Sequence, residues 1–149
     1  MLSHNFISYA KINLGLQIIN KRNDKYHNIH SLFVELDLAD ELIFLPSVEF
    51  KLTAEGVVSS DLPLDETNLI NKAYKLMRSK IKNVSSEFSI HLKKIIPIRS
   101  GLGGGSSNAA STIKALNKLW NINFTQQKLE TLGVKLGADV PFFIRGGFQ

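Results

Sequence analysis

A glycine-rich segment in the last third of the chain is the part of the sequence best suited to bind an anion. It runs from Pro97 to Ala110, and four of the five positions 101–105 are glycine. Glycine lets the N–H groups of a loop converge without side-chain obstruction, and a helix starting behind the loop presents unpaired N–H groups and a positive dipole end. Ser106 and Ser107 add hydroxyl donors. This combination predicts a site for a phosphate group.

Three common glycine motifs do not fit this segment. A P-loop requires Gly-Lys-Ser/Thr where the chain has Ser106-Ser107. A dinucleotide-binding fingerprint starting at Gly101 requires glycine or alanine at Ser106, and a nucleophile elbow starting at Gly104 requires glycine at Asn108. The alternative to a phosphate site is a glycine turn that only caps a helix.

The segment Gly101–Ala110 resembles the glycine-serine loop of the GHMP kinases, the family of galactokinase, homoserine kinase and mevalonate kinase. Two further segments resemble the branch of that family that acts on a cytidine-diphosphate-linked methylerythritol: Ala10–Leu14, with Arg22, Asp24, Tyr26 and His27 after it, and Gly137–Phe143. Their order and spacing agree from about Tyr9 to Gly147. The resemblance implies ATP-dependent phosphorylation of the 2-hydroxyl of that small molecule, a step of the non-mevalonate isoprenoid pathway.

The same resemblance implies a set of ATP-binding residues and a magnesium ion that accompanies ATP. The implied ATP-binding residues are Asn68, Pro97, Arg99, Ser100, Gly101, Leu102, Gly103, Gly104, Gly105, Ser106 and Ser107. Asn68 would lie near the adenine, or it is an ordinary helix-start residue. The side chain of Arg99 would reach a nucleotide phosphate or face solvent. The sequence leaves the magnesium ligands undefined, with Ser107 as a candidate.

Lys11 and Asp139 are the residues expected to act on the transferred phosphoryl group. Phosphoryl transfer needs positioning, charge stabilisation and a group that orients or accepts the proton of the attacking hydroxyl. Asp139 is expected to take that last role. Lys11 lies on a strand that is otherwise buried, where a charged side chain needs a partner, and Asp139 is the natural candidate. Their pairing would keep Asp139 ionised and hold Lys11 near the developing charge.

Three residues of the N-terminal part are expected to bind the substrate. Asn13 points the same way as Lys11 because strand side chains alternate. The resemblance implies that Tyr26 and His27 recognise the cytidine, since an aromatic ring can stack on the base and an imidazole can hydrogen-bond its edge. His27 and His30 could suggest a metal pair, but no third ligand is evident.

Composition limits the classes of function. The 149 residues are 44% hydrophobic and 21% charged, a globular composition with room for one domain. The absence of cysteine excludes disulfides, thiol catalysis and sulfur-ligated metals, and favours a reducing, cytoplasmic compartment. No apolar run is long enough to span a membrane, and no signal peptide is evident. The net charge of +5 suits phosphate-bearing substrates, while nucleic-acid binding is the less favoured interpretation.

Alternating and helical hydrophobic periods predict an α+β fold. Strands are expected at 10–19, 31–37, 41–45, 48–53 and 87–92, the first with Ile12, Leu14, Leu16 and Ile18 in a core. Helices are expected at 65–80, capped by Asp65 or Thr67, at about 106–120, and after Thr125 to about 136. A strand is expected to begin at Pro141–Ile144.

The GHMP resemblance also predicts a domain organisation. Residues 1–149 would form the N-terminal ATP-binding domain, with a mixed or antiparallel sheet packed on helices like the half-fold of some ribosomal proteins. The chain would be truncated at its C-terminal end, and a second domain that completes the cleft would be missing. Alternatives are another GHMP small-molecule kinase, an inactive nucleotide-binding fragment, and a nucleotide- or nucleic-acid-binding module without catalysis. Oligomeric state is left open.

Overall fold

Four strands form one mixed sheet in the part of the chain that the computed structural model describes, residues 2–21, 27–56 and 62–149. The strands are β1 (His4–Lys21), β2 (His27–Ser47), β3 (Leu52–Gly56) and β4 (Glu87–Lys94), in the spatial order β1-β2-β4-β3. The pairs β1/β2 and β2/β4 are antiparallel, and β3/β4 is parallel. Four helices accompany them within the described residues: α1 (Leu69–Arg78), α2 (Gly104–Leu119), α3 (Gln126–Gly133) and α4 (Val140–Arg145). The predicted α+β class is confirmed.

One apolar core lies between the sheet and the helices. It joins side chains from β2 and β4 to side chains from α1 and α2, with Leu42, Phe44, Ile90, Ile113 and Leu116 among those that are completely buried. Helix α2 contacts α1, α3, α4, β1 and β2. The helix that follows the glycine-rich loop is therefore central to the core, so core packing fixes the loop at its C-terminal end.

Strand β2 is longer than the sequence pattern indicated. Two strands, 31–37 and 41–45, were predicted with a break near Asp40, and this is wrong because one strand runs through both. Asp40 is fully buried in it, and its carboxylate binds the Lys94 ammonium and the N–H groups of Ile95 and Ile96. A carboxylate can thus be buried inside a sheet when its oxygens are fully paired. Strand β3 also begins later than predicted, at Leu52.

The helix starts differ from the predicted ones in two places. The cap of α1 is Asn68, whose Oδ1 accepts from Ile70 N at 2.8 Å; the predicted caps Asp65 and Thr67 instead bond to each other in the preceding turn. Helix α2 begins at Gly104 because Gly103 caps it in a left-handed conformation, with φ +71°. The predicted cap of α3, Thr125, is confirmed by its bond from Lys128 N at 3.3 Å.

The segment after Asp139 is a helix, and the predicted strand at Pro141–Ile144 is wrong. Helix α4 starts at Val140 with Pro141 in its first turn. Proline is well placed there because the first N–H groups of a helix have no partner within the helix and the ring already fixes a helical φ. The chain therefore passes from α3 through a short turn into α4, and Asp139 lies at the N-cap of that helix.

Strand β1 is covered on both faces at Ala10 and Lys11. The pairing with β2 shifts between Tyr9 and Ala10, and the consecutive residues Ala10 and Lys11 are both buried. Consecutive residues of a strand point to opposite faces, so both faces of β1 are covered at this point. Leu14 is 51% exposed, which contradicts its predicted core position. The polar face of this strand segment, with Lys11 and Asn13, is the one that builds the site.

Candidate active site

The glycine-rich loop joins β4 to α2 and passes close to Lys11 and α4. At Gly103 an added Cβ would lie 2.8 Å from Phe143 Cζ and 3.1 Å from Lys11 Cγ, in addition to the left-handed φ. Only glycine avoids both the contact and the strained backbone at this position. The backbone N–H of Lys11 donates to the Leu102 carbonyl at 2.9 Å. The loop is thus fastened to the strand that carries Lys11.

A cavity of about 350 Å³ lies beside this loop. It is walled by the loop, by the start of α2 and by the segment leading into α1. The predicted ATP-binding residues in its wall are Asn68, Pro97, Arg99, Ser100, Gly101, Gly103, Gly104, Gly105 and Ser106. Leu102 and Ser107 are not in the wall. The first N–H groups of α2 and its positive dipole end belong to this wall, which suits a bound anion.

Asn68 has two structural tasks at the cavity wall. Its Oδ1 caps α1, and its Nδ2 donates to the Pro63 carbonyl at 2.7 Å. These bonds hold the 62–68 segment against the helix start, so Asn68 shapes the cavity through the backbone that it fixes. Arg99, on the opposite wall, has a left-handed φ of 58°.

A buried ion pair braces the cavity wall. Lys94 Nζ lies 2.6 Å from Asp40 Oδ2, and the two side chains are 4% and 0% exposed. Asp40 Oδ1 also accepts from Ile95 N at 2.7 Å and Ile96 N at 2.8 Å. A Cβ added at Gly104 would lie 3.1 Å from Lys94 Nζ, so this ammonium lies against the first turn of α2. The pair therefore fixes the entry to the glycine-rich loop.

Lys11 and Asp139 meet beside the loop. Lys11 Nζ lies 3.6 Å from Asp139 Oδ2, so the pairing predicted from the strand lysine is present. The same ammonium donates to Asn13 Oδ1 and lies 5.0 Å from the centre of the Phe33 ring. Asn13 Nδ2 in turn donates to Ser31 Oγ at 2.8 Å. Lys11 is thus held from three sides, and Asn13 is oriented by its neighbour on β2.

Helix α4, which carries Asp139 at its N-cap, is fixed at its other end. Lys114 on α2 donates to the Phe143 carbonyl at 2.9 Å, and burial lowers the pKa of this lysine. Glu35 on β2 accepts from Gly147 N at 2.8 Å through Oε2. A Cβ added at Gly137 would lie 3.7 Å from Ser106 Oγ, which brings the turn before Asp139 close to the glycine-rich loop. The carboxylate is therefore positioned by the core and not by a free loop.

The described residues show no metal centre of their own. Within residues 2–21, 27–56 and 62–149, no group of three acidic, histidine or cysteine side chains could hold an ion. Ser107, the candidate magnesium ligand, is 2% exposed, and its hydroxyl bonds to Ser8 at 2.8 Å. The role of Ser107 as a magnesium ligand stays a prediction. No helix in the described part of the chain is long and apolar enough to cross a membrane.

The predicted cytidine-binding residues cannot be placed. Tyr26 lies outside the described residues, as does the side chain of His27, whose backbone belongs to β2. Their cytidine-binding role stays a prediction.

Sequence reasoning missed residues that support the site without being part of a motif. Ser8, Asp40 and Lys94 are buried polar residues whose partners lie far away in the chain. The only sequence signal was a polar residue inside an apolar strand pattern. That signal is ambiguous until the fold supplies the partner.

The comparisons with known proteins agree with this architecture. Residues 68–147 match the family model of the GHMP kinases N terminal domain. The match covers more than half of the 149 residues. The chain therefore belongs to the GHMP kinase family.

Individual relatives point to one branch of that family. A 4-diphosphocytidyl-2-C-methyl-D-erythritol kinase of Prosthecochloris aestuarii is 47% identical over 94% of this chain and 48% of its own length. The solved structure of a 4-(cytidine 5'-diphospho)-2C-methyl-D-erythritol kinase has a TM-score of 0.76 at 37% identity, covering 95% of this chain and 49% of that one. The Methanococcus jannaschii mevalonate kinase, with a TM-score of 0.71 at 17% identity over 99% of this chain and 52% of its own, shares the fold. The chain spans about half the length of the curated relatives that it matches.

Proposed function

We propose that this chain is the N-terminal, ATP-binding half of a kinase that phosphorylates the 2-hydroxyl of 4-diphosphocytidyl-2-C-methyl-D-erythritol. The observation that carries the proposal is the Lys11–Asp139 pair, 3.6 Å apart, beside a glycine-rich loop that walls a nucleotide-sized cavity. The names and identities of the relatives support the choice of substrate. The reaction belongs to the cytoplasmic non-mevalonate route to isoprenoids, and its expected partners are small molecules and neither nucleic acid nor membrane.

In this proposal the glycine-rich loop and the first turn of α2 bind the ATP phosphates. Backbone N–H groups at a helix start are fixed donors, so they stabilise the charge of the transferring group without reorganisation. The residues proposed for this role are those that line the cavity at positions 97, 99–101 and 103–106. Leu102 and Ser107 act from behind the wall, through the Lys11 N–H and through Ser8 respectively.

Asp139 and Lys11 would act on the acceptor hydroxyl. The hydroxyl oxygen attacks the γ-phosphorus, the bond from that phosphorus to the ADP oxygen breaks, and the hydroxyl proton passes to Asp139 Oδ2 or is oriented by it. The Lys11 ammonium stabilises negative charge at the same point. Asn13, held by Ser31, would position the acceptor. Tyr26 and His27 would bind the cytidine.

Magnesium supplies charge neutralisation of the ATP phosphates when it is bound. Since the described residues build no site of their own for it, the phosphates themselves would be its principal ligands. The steps proposed for Asp139 and Lys11 do not depend on it.

The proposal is tested with the product of the complete reading frame and a panel of acceptors. The protein is incubated with ATP and 4-diphosphocytidyl-2-C-methyl-D-erythritol, mevalonate, homoserine or galactose, and phosphorylated products are detected by mass spectrometry. We expect a product from the first acceptor and none from the others. A phosphorylated mevalonate, homoserine or galactose would assign the chain to another branch of the family.

The 149-residue chain by itself is a separate arm of the same experiment. We propose that the site is completed by the second half that the relatives have, so this chain alone should form no product. Turnover by the 149-residue chain would contradict that part of the proposal.

A further inference from the structure

Ser8 lies on β1, where its side chain contacts the first turns of α2, and it is 1% exposed. Its Oγ donates to Asn108 Oδ1 at 2.8 Å and lies 2.8 Å from Ser107 Oγ. Both partners follow directly after the glycine-rich loop. No motif includes Ser8, and the Lys11–Asp139 chemistry does not use it.

The hydroxyl proton of Ser8 can serve only one of these two bonds. A carbonyl oxygen such as Asn108 Oδ1 can only accept, whereas a serine hydroxyl can donate and accept. The proton of Ser8 therefore goes to Asn108, and the proton of Ser107 goes to Ser8. In this arrangement Oδ1 of Asn108 faces Ser8 on β1, and the NH₂ group points away from that hydroxyl.

The NH₂ group of Asn108 opens onto the nucleotide cavity. Asn108 is 3% exposed and lies in the cavity wall. Among the residues that the structure describes, every fully enclosed polar side-chain atom has a hydrogen-bond partner, and Asn108 Nδ2 has none. The nitrogen is therefore not enclosed, and the cavity is the open space that Asn108 borders. An amide donor at a cavity wall that has no protein partner is available to an acceptor atom of a ligand.

We propose that Asn108 Nδ2 donates a hydrogen bond to an acceptor oxygen of the bound nucleotide, and that Ser8 is the positioning residue that orients this amide. The inference rests on the proposed function only in taking the cavity as the nucleotide site. The inference adds two residues to that site: Asn108, which touches the ligand, and Ser8, which acts through Asn108.

Equilibrium binding of ATP to the product of the complete reading frame tests the proposal. Asn108→Asp keeps an oxygen for Ser8 but replaces the donor by a negative charge, so ATP affinity should fall more than about tenfold. Ser8→Ala frees the amide to rotate and should weaken ATP binding roughly three- to tenfold. The kcat of Ser8→Ala at saturating ATP should stay within about twofold of the wild-type value. A lost binding interaction raises the KM for ATP and does not change kcat.

Ser111→Ala is the matched control. The Ser111 hydroxyl donates to the Ile7 carbonyl at 3.1 Å, so it also joins α2 to β1, but it does not line the cavity. If Ser8 were merely structural, both alanine variants would lower the urea midpoint of unfolding, and both would keep the ATP affinity of the wild type. We expect Ser111→Ala to leave ATP affinity within about twofold of the wild type.

A double-mutant cycle tests whether Ser8 affects ATP affinity through Asn108. Once Asn108 is replaced by alanine, Ser8→Ala should cause less than about a twofold further loss of ATP affinity. Additive losses would overturn the positioning role, and tight ATP binding by Asn108→Asp would overturn the donor role. Failure of the wild-type protein to bind ATP would instead overturn the proposed function itself.

Discussion

The Lys11 ammonium lies 3.6 Å from Asp139 Oδ2, and the two side chains differ in exposure, at 8% for Lys11 and 37% for Asp139. The lysine is held by Asn13 and by the face of Phe33, whereas the carboxylate keeps an open side. An open carboxylate next to a fixed positive charge can accept a hydrogen bond from a substrate hydroxyl. In the proposed function, Asp139 would contact the substrate and Lys11 would supply the supporting charge.

Replacing Lys11 by methionine should reduce turnover strongly without unfolding the protein. Methionine keeps an apolar stem against Phe33 and Gly103 but removes the charge, so kcat should fall by about 10²–10³. Steady-state ADP release by the complete protein measures this. Lys93→Met, which removes a lysine that is 44% exposed and paired with Glu41 at 3.0 Å, should leave kcat nearly unchanged. Equal losses in the two variants would argue for a general charge effect.

Two glycines of the loop should respond differently to alanine. Gly101 and Gly103 both have a left-handed φ, but an added Cβ at Gly101 meets nothing within 4 Å, whereas at Gly103 it meets Phe143 Cζ at 2.8 Å. Gly101→Ala should cost about 1 kcal/mol of unfolding free energy, and Gly103→Ala about 3 kcal/mol. Urea unfolding followed by circular dichroism gives both values. An equal cost would mean that the Phe143 ring moves aside freely.

The adjacent residues Asp40 and Glu41 offer a matched comparison of a buried and a surface ion pair. Asp40 and Lys94 are 0% and 4% exposed, while Glu41 and Lys93 are 25% and 44% exposed. Asp40→Asn leaves a buried ammonium unpaired and should lower the unfolding free energy by about 3–5 kcal/mol. Glu41→Gln should cost about 1 kcal/mol or less, because solvent screens its pair. Urea titrations of both variants measure the two losses of unfolding free energy, and equal losses would contradict this account.

Acid should destabilise the protein partly through Glu87. Burial acts to raise the pKa of this carboxyl, but hydrogen bonds from Tyr74 and Arg78 outweigh it and bring the pKa below its usual 4.5. A lowered carboxyl pKa gives stability that is present above the usual value and is lost as the pH falls through the lower folded value.

Glu87→Gln should therefore flatten the loss of stability below about pH 4.5, as measured by urea midpoints between pH 7 and pH 3. Glu66→Gln, at a carboxylate with 81% exposure, is the control. If the urea midpoint of Glu87→Gln fell between pH 7 and pH 3 as much as that of the wild type, the acid destabilisation would come from other carboxylates.

The sequence predicted the parts of the site that depend on local pattern. The glycine-rich loop before α2 is recognisable because glycine spacing and helix starts are local properties. The facing of Lys11 and Asn13 follows from strand alternation, and their shared contact is present in the structure. The α+β class follows from alternating strand and helix periods, and it is confirmed.

The parts that could not be predicted depend on contacts between distant segments. The two strands predicted at 31–37 and 41–45 form one strand, in which the buried Asp40 is neutralised by Lys94, a residue far away in the chain. Pro141 suggested a strand start, but its ring fits the first turn of α4 equally well. The apolar row at Leu14 predicted a core position, but Leu14 is 51% exposed, since the burial of a strand residue depends on which segments pack against it.

The Asp139→Asn variant of the complete protein, assayed for ADP release with ATP and 4-diphosphocytidyl-2-C-methyl-D-erythritol, tests the central claim most directly. The wild type should release ADP only when this acceptor is present. The variant should keep its ATP affinity within about twofold and lose about 10²–10⁴ in kcat, because the amide cannot take the hydroxyl proton. A variant as active as the wild type, or a folded wild type that releases no ADP with this acceptor, would contradict the account.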